Sequence, residues 1–141
     1  MDGPIPIGDI IALIGFAGLY LYGQSRAQDI ITSISSNSIN WGTGNKNHIL
    51  KGTKRKHENG WKRFGIDPDD NNAWNLVLPI LKEVIDDADS IKARVLIDGS
   101  MIVQYFKIYA EKGVEVMVKI WIDASGKIHN LSDAIPYIID K

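Results

Sequence analysis

Three runs rich in branched and aromatic residues, 91–98, 101–109 and 114–123, are broken by Asp98-Gly99 and Lys112-Gly113, and Ser125-Gly126 follows the third. Such residues suit an extended, pleated chain, and glycine supplies the positive φ that a tight reversal demands. Reversals this short return each run antiparallel to the last, because a parallel return needs a crossover of a dozen residues or more. The chain is therefore expected to build an antiparallel meander, extended by a fourth strand over 127–131. In the third run Val114, Val116, Val118, Ile120 and Ile122 share one face, and Glu115, Met117, Lys119, Trp121 and Asp123 share the other. The first of these faces needs a cover.

A helix supplies it. Trp74, Val77, Leu78, Leu81, Val84 and Ile85 recur at helical spacing, and Asp69 to Asn72 offer capping side chains just after the Asp67-Pro68 turn. Pro79 lies past the first turn of such a helix, so either a kink or a start delayed to about Leu78 is expected. The fold class is α+β, a helix packed on a small curved antiparallel sheet. With 141 residues and no cysteine, the domain holds together by packing alone and offers no thiolate metal site.

The N-terminal third differs in composition. Residues 4–23 are almost wholly apolar, and Ile10 to Tyr22 carry no charge. Such a run is short for a membrane span and reads as a buried or interfacial helix preceding the sheet, with two uses open to it, covering a core or making transient membrane contact. Asp2 and Asp9 precede it and the first cation is Arg26, unlike a secretory signal. The polar stretch 32–45 reads as a linker. The expected division is therefore 1–44, a delivery segment and linker, and 45–141, the working domain.

That domain separates its charge. The net charge of −1 conceals a basic segment, 45–65, and an acidic one, 66–90. A local anion site fits this better than a broad cationic coat. Residues 47–63 hold two of the three histidines, His48 and His57, with Lys51, Lys54, Arg55, Lys56, Lys62 and Arg63. Histidine gives and takes protons near neutrality, and cations hold a phosphate and the charge developing on it. RNA cleavage suits that combination, as does a solvated basic loop. Lys119 and Trp121 on the third strand, and Lys107 between Tyr105 and Tyr109 on the second, resemble faces that hold single-stranded RNA by stacking and neutralisation. The competing expectation, an ordinary amphipathic sheet with a solvated lysine, suits Lys107 slightly better than Lys119. His129 is expected to be a surface or capping residue.

The order of parts resembles the C-terminal nuclease domains of bacterial polymorphic toxins, the group that includes barnase, EndoU, colicin-type and RelE-like RNases. The likeness rests on Pro4-Ile5-Pro6-Ile7-Gly8-Asp9, His48-Ile49-Leu50-Lys51-Gly52, the Trp61 region, Asp67-Pro68-Asp69 with Trp74, and a sheet closing on Gly126-Lys127-Ile128 and Ser132-Asp133-Ala134. The resemblance implies metal-independent cleavage of RNA, tRNA included, without a cofactor. It implies a cognate immunity protein, and a secreted or delivered effector acting in the cytoplasm of a target bacterium during interbacterial competition. Carried onto this chain, it makes His48 a general base or acid, Lys51 a phosphate contact and Lys119 a further catalytic cation. His57 becomes the opposite proton carrier or an RNA contact, since EndoU-like members hold their second histidine further downstream. Thr53, Lys54, Arg55, Lys56, Trp61, Lys62, Arg63, Trp121 and Ser132 are the expected substrate contacts. Three other classes stay open: a non-enzymatic RNA- or protein-binding module, an HNH-like metal nuclease using His48, His57 and Asn59, and a membrane-active toxin acting through 4–23.

Overall fold

The computed structural model describes residues 10–14 and 29–140. The order of strands in the sheet is β1 (Ile10–Ile14), β2 (Ser90–Val95), β3 (Met101–Tyr109), β4 (Val114–Ile122) and β5 (His129–Ile138). The last four form the expected antiparallel meander. β1 runs parallel to β2. This corrects the expected N-terminal helix at 10–14, where Ile10-Ile11-Ala12-Leu13-Ile14 is as well suited to an extended chain as to a helix. The rest of the 4–23 segment lies outside the described residues. Among the described residues no helix is long and apolar enough to cross a membrane.

The covering helix is α3 (Ala73–Asp86), preceded by two short helices, α1 (Lys46–Lys51) and α2 (Glu58–Lys62). α3 buries Ala73, Val77, Leu81, Val84 and Ile85 on the sheet face formed by Val114, Val116, Val118, Ile120 and Ile122. Trp74 and Leu78 are half-buried at its margin. Pro79 sits inside α3 without delaying its start, and its ring is exposed on the outer side of the helix. A proline is tolerable there because solvent can take over the carbonyl left without its N–H partner.

Three features depart from the expectations. The Asp98-Gly99 reversal is wider than two residues: Leu96 N–H donates to Ser100 O at 2.8 Å, and Asp98 accepts from both the Ser100 N–H and its hydroxyl. β5 continues well beyond Leu131 to Ile138, passing through Pro136, which an outer antiparallel strand can accept. A bulge at Ser132 interrupts its register: Leu131 faces Ile120, whereas Asp133 faces Lys119. One extra residue resets the alternation, so Asp133 shares the outer face with Lys119.

The segment expected to be a linker is part of the core. Ile34 and Ile39, and Ile31 just before the segment, are buried with the residues under α3. Ser36 donates to Asp86 from its N–H at 2.8 Å and from its hydroxyl at 2.6 Å. Asn40 bridges to Asn130, donating its N–H to His129 O at 2.8 Å and accepting from the Leu131 N–H at 3.2 Å. Serines and asparagines here serve fixed hydrogen bonds between elements, which composition alone does not distinguish from a flexible linker.

Candidate active site

α1 begins at Asn45, whose side chain accepts from the His48 N–H at 3.0 Å, and ends at Gly52 with φ 73° and ψ 177°. At φ and ψ of that kind a side chain is strained. A β-carbon on Gly52 would also lie 2.4 Å from the His57 ring. The chain then turns through Thr53–Arg55 with Lys54 and Arg55 at φ 56° and 60°, conformations uncommon outside glycine. The His57 N–H closes the loop on Lys51 O at 2.9 Å.

A helix as short as α1 leaves its last carbonyls without helical partners. The Ile49 carbonyl receives two donors instead, His57 Nδ1 at 3.0 Å and the Trp61 indole N–H at 2.8 Å. A carbonyl only accepts, so Nδ1 carries the proton and the neutral ring presents Nε2 as the basic atom. His57 is 6% exposed, and His48 meets it edge to face with ring centroids 5.4 Å apart. The His48 side chain is 39% exposed, and its Nε2 lies 3.7 Å from Asp133 Oδ2 on β5. The other Asp133 oxygen accepts from the Ala134 N–H at 2.8 Å, which fixes the carboxylate. Two imidazoles and a carboxylate thus meet beside β5, with Lys119 the register partner of that carboxylate.

The basic segment is less free than its sequence suggests. Lys51 pairs with Asp69 at 3.1 Å, and Arg55 bridges Asp69 and Glu58. Hydrogen bonds from Lys51 and then Arg55 hold the Asp69 carboxyl below the usual carboxylate range. Arg63 is held by Asp140 and by the Lys112 carbonyl, each at 2.9 Å. Lys46 lies 5.6 Å from the centre of the Trp74 ring. Thr53, Lys54, Lys56 and Lys62 are exposed.

Other expected contacts are relocated. Trp61 is fully buried, its indole nitrogen on Ile49, so no base can stack on it. Tyr105 is buried under α3, and Lys107 and Tyr109 share its side of β3, reaching Asp87 at 2.9 Å and Glu83 at 2.6 Å. That face is the covered one, so Lys107 is an anchor for the end of α3 and no RNA contact. Trp121 and Lys119 do occupy the outer face, half-buried. Ser132 is the exposed bulge residue. His129 is buried, its Nε2 2.9 Å from Gly126 O and its Nδ1 3.2 Å from the Ser38 hydroxyl, and so joins β5 to the segment before α1. Among the described residues no group of three His, Asp or Glu is placed to hold a metal ion.

Asp133, Asp69, Glu58 and Gly52 were not among the expected site residues. Asp133 lies within the Ser132-Asp133-Ala134 stretch of the resemblance, and the length of β5 is the signal that would have brought it level with Lys119. No protein-family model, curated protein or solved structure matches this chain.

Proposed function

We propose that this protein is a toxin-type endoribonuclease that cuts RNA, tRNA included, by attack of a ribose 2′-hydroxyl on its own phosphate. The observation that carries this reading is the meeting of His48, His57 and Asp133 beside an exposed basic loop. His48, the more exposed imidazole, takes the 2′-hydroxyl proton. Asp133 orients its ring and offsets the positive charge it gains. The 2′-oxygen forms its bond to phosphorus as the bond to the 5′-oxygen breaks. His57, entering this step as the imidazolium with its Nδ1–H still on the Ile49 carbonyl, supplies its Nε2 proton to that leaving oxygen, and the products are a 2′,3′-cyclic phosphate and a 5′-hydroxyl. Lys51, three residues after His48 in α1 and paired with Asp69, is assigned the non-bridging oxygens, while exposed Lys54, Lys56 and Lys62 draw the RNA in. An immunity protein would present carboxylates to the same three lysines. The reading places the working site of the effector in the cytoplasm of a target bacterium.

The test is cleavage of total bacterial RNA by the whole chain in excess EDTA. Fragments ending in cyclic phosphate are expected, with rates down about 10²- to 10⁴-fold in His48→Ala, the usual worth of a positioned proton carrier. RNA left intact in EDTA but cut with magnesium would replace this mechanism with a metal-dependent one. RNA intact in both would leave a binding module.

A further inference from the structure

The outer face of the sheet, opposite α3, carries a row of side chains that begins at the proposed site. Register places Asp133, Lys119, Gln104 and Lys92 side by side on β5, β4, β3 and β2. Asp133 is the carboxylate that meets His48. The row crosses the strands at right angles, and three inter-strand steps of about 4.8 Å make it roughly 14 Å long. An aromatic residue lies on each side of it. Phe106, two residues from Gln104, has Lys92 Nζ 5.6 Å from its ring centre, and Trp121 stands two residues beyond Lys119. Both rings are half-buried, and Lys92 is exposed.

The face carries Lys92, Arg94 and Lys119 against Glu115, Asp123 and Asp133, so an anion is favoured only locally, along the row beyond Asp133. Asp133 lies beside His48 and accepts from the Ala134 N–H, and Asp123 accepts from the Ser125 hydroxyl and from the Lys127 and Ile128 backbone N–H groups at the sheet end. Lys92 and Lys119 are left along the row with neutral Gln104 between them. Cations spaced along a line with aromatic rings beside it fit a strand whose phosphates follow the lysines and whose bases stack on the rings. A duplex keeps its base faces inside and fits less well.

We infer that the outer face binds single-stranded RNA laid across β4, β3 and β2, with phosphates at Lys119 and Lys92 and bases on Trp121 and Phe106, leading the strand to His48. The identity of the strand as RNA, and its direction, rest on the ribonuclease reading above.

The test measures binding of a fluorescein-labelled twelve-nucleotide oligouridylate to the whole chain carrying His48→Ala. Loss of one stacked base is worth enough that Phe106→Ala or Trp121→Ala should each weaken binding by about tenfold or more. Lys92→Gln alters only an exposed side chain and leaves the fold intact. It should weaken binding and reduce the slope of log affinity on log salt by about 0.7, the value for one phosphate contact on a single strand. Unchanged affinity in all three variants, or equal affinity for a duplex RNA of the same length, would overturn the inference. The two proposals fail separately. Tight binding that depends on Phe106 and Lys92, with no cleavage by the native chain, removes the nuclease and keeps the platform. Cleavage by the native chain with KM unchanged in Lys92→Gln removes the platform and keeps the nuclease.

Discussion

Replacing Tyr105 with phenylalanine should stabilise this protein, the reverse of what loss of a hydrogen-bonded phenol does. Tyr105 sits in the middle of β3 between Ile91 and Val118, fully buried, and its hydroxyl has no hydrogen-bond partner among the described residues. A buried hydroxyl stripped of water and left unpaired costs about 1–3 kcal/mol. Removing it leaves a gap of roughly 10 Å³, which at about 24 cal/mol per Å³ costs only about 0.2 kcal/mol. The net expectation is a gain of about 1–2 kcal/mol. Urea unfolding of the whole chain reads this directly. With a slope of about 2 kcal/mol per molar for a domain of this size, the midpoint should rise by roughly 0.5–1 M with the slope unchanged. A midpoint that falls by a similar amount would refute the reasoning, for it would mean that a buried water or a rearranged backbone carbonyl already satisfies the hydroxyl.

Alkaline pH should destabilise the fold through the tyrosines. Burial raises the Tyr105 phenol, and burial with the nearby Glu83 carboxylate raises that of Tyr109, so both keep their protons when folded. Their contribution is whole below the ordinary phenol pKa of about 10 and is lost as pH climbs from there toward the folded values. Stability measured by urea at pH 8 to 11 should therefore fall above about pH 10, and less steeply in Tyr105→Phe. Residues 45–141 alone should fail to fold cooperatively, because they lack Ile31, Ile34 and Ile39. At about 1.5–3 kcal/mol per buried aliphatic side chain, that loss rivals the whole stability of a small domain, and a flat thermal melt would show it. Gly52→Ala should cost about 1–3 kcal/mol for its backbone alone, with a further loss of RNA cleavage as the His57 ring is displaced. A fully active, equally stable variant would mean that Gly52 does not hold His57 in place.

The four-strand meander and the inner face of β4 were readable because short-range rules govern them: glycine reversals set the strand directions, and Val114 to Ile122 alternate without interruption. The inner side of β3 was less readable. Tyr105, Lys107 and Tyr109 resemble an exposed aromatic face in sequence, but their partners Glu83 and Asp87 lie at the end of α3. Polar tips reaching past a buried edge look the same in sequence as polar tips in solvent. The segment 32–44 hid its role in the same way, since its hydrogen bonds go to Asp86, His129 and Leu131, more than forty residues away.

The site was half legible for a related reason. His48 and His57 lie nine residues apart, and their meeting depends only on the local loop through Gly52. The acids that define their surroundings come from elsewhere. Asp69 fixes Lys51 and Arg55 from beyond α2, and Asp133 reaches His48 from β5. These long-range pairings change what the basic run can do. Lys51, Arg55 and Arg63 spend part of their charge holding the loop and the C-terminal end in place, so recruitment of an anion falls to Lys54, Lys56 and Lys62. Neutralising those three lysines should lower the rate of RNA capture and its salt dependence while leaving stability nearly unchanged, since exposed charges contribute little to folding. Neutralising Asp69 should do the opposite, loosening the turn that carries Lys54 and Arg55 at positive φ. A division of that kind between holding and capturing cations cannot be read from a count of lysines, because it is set by where the carboxylates fall in three dimensions.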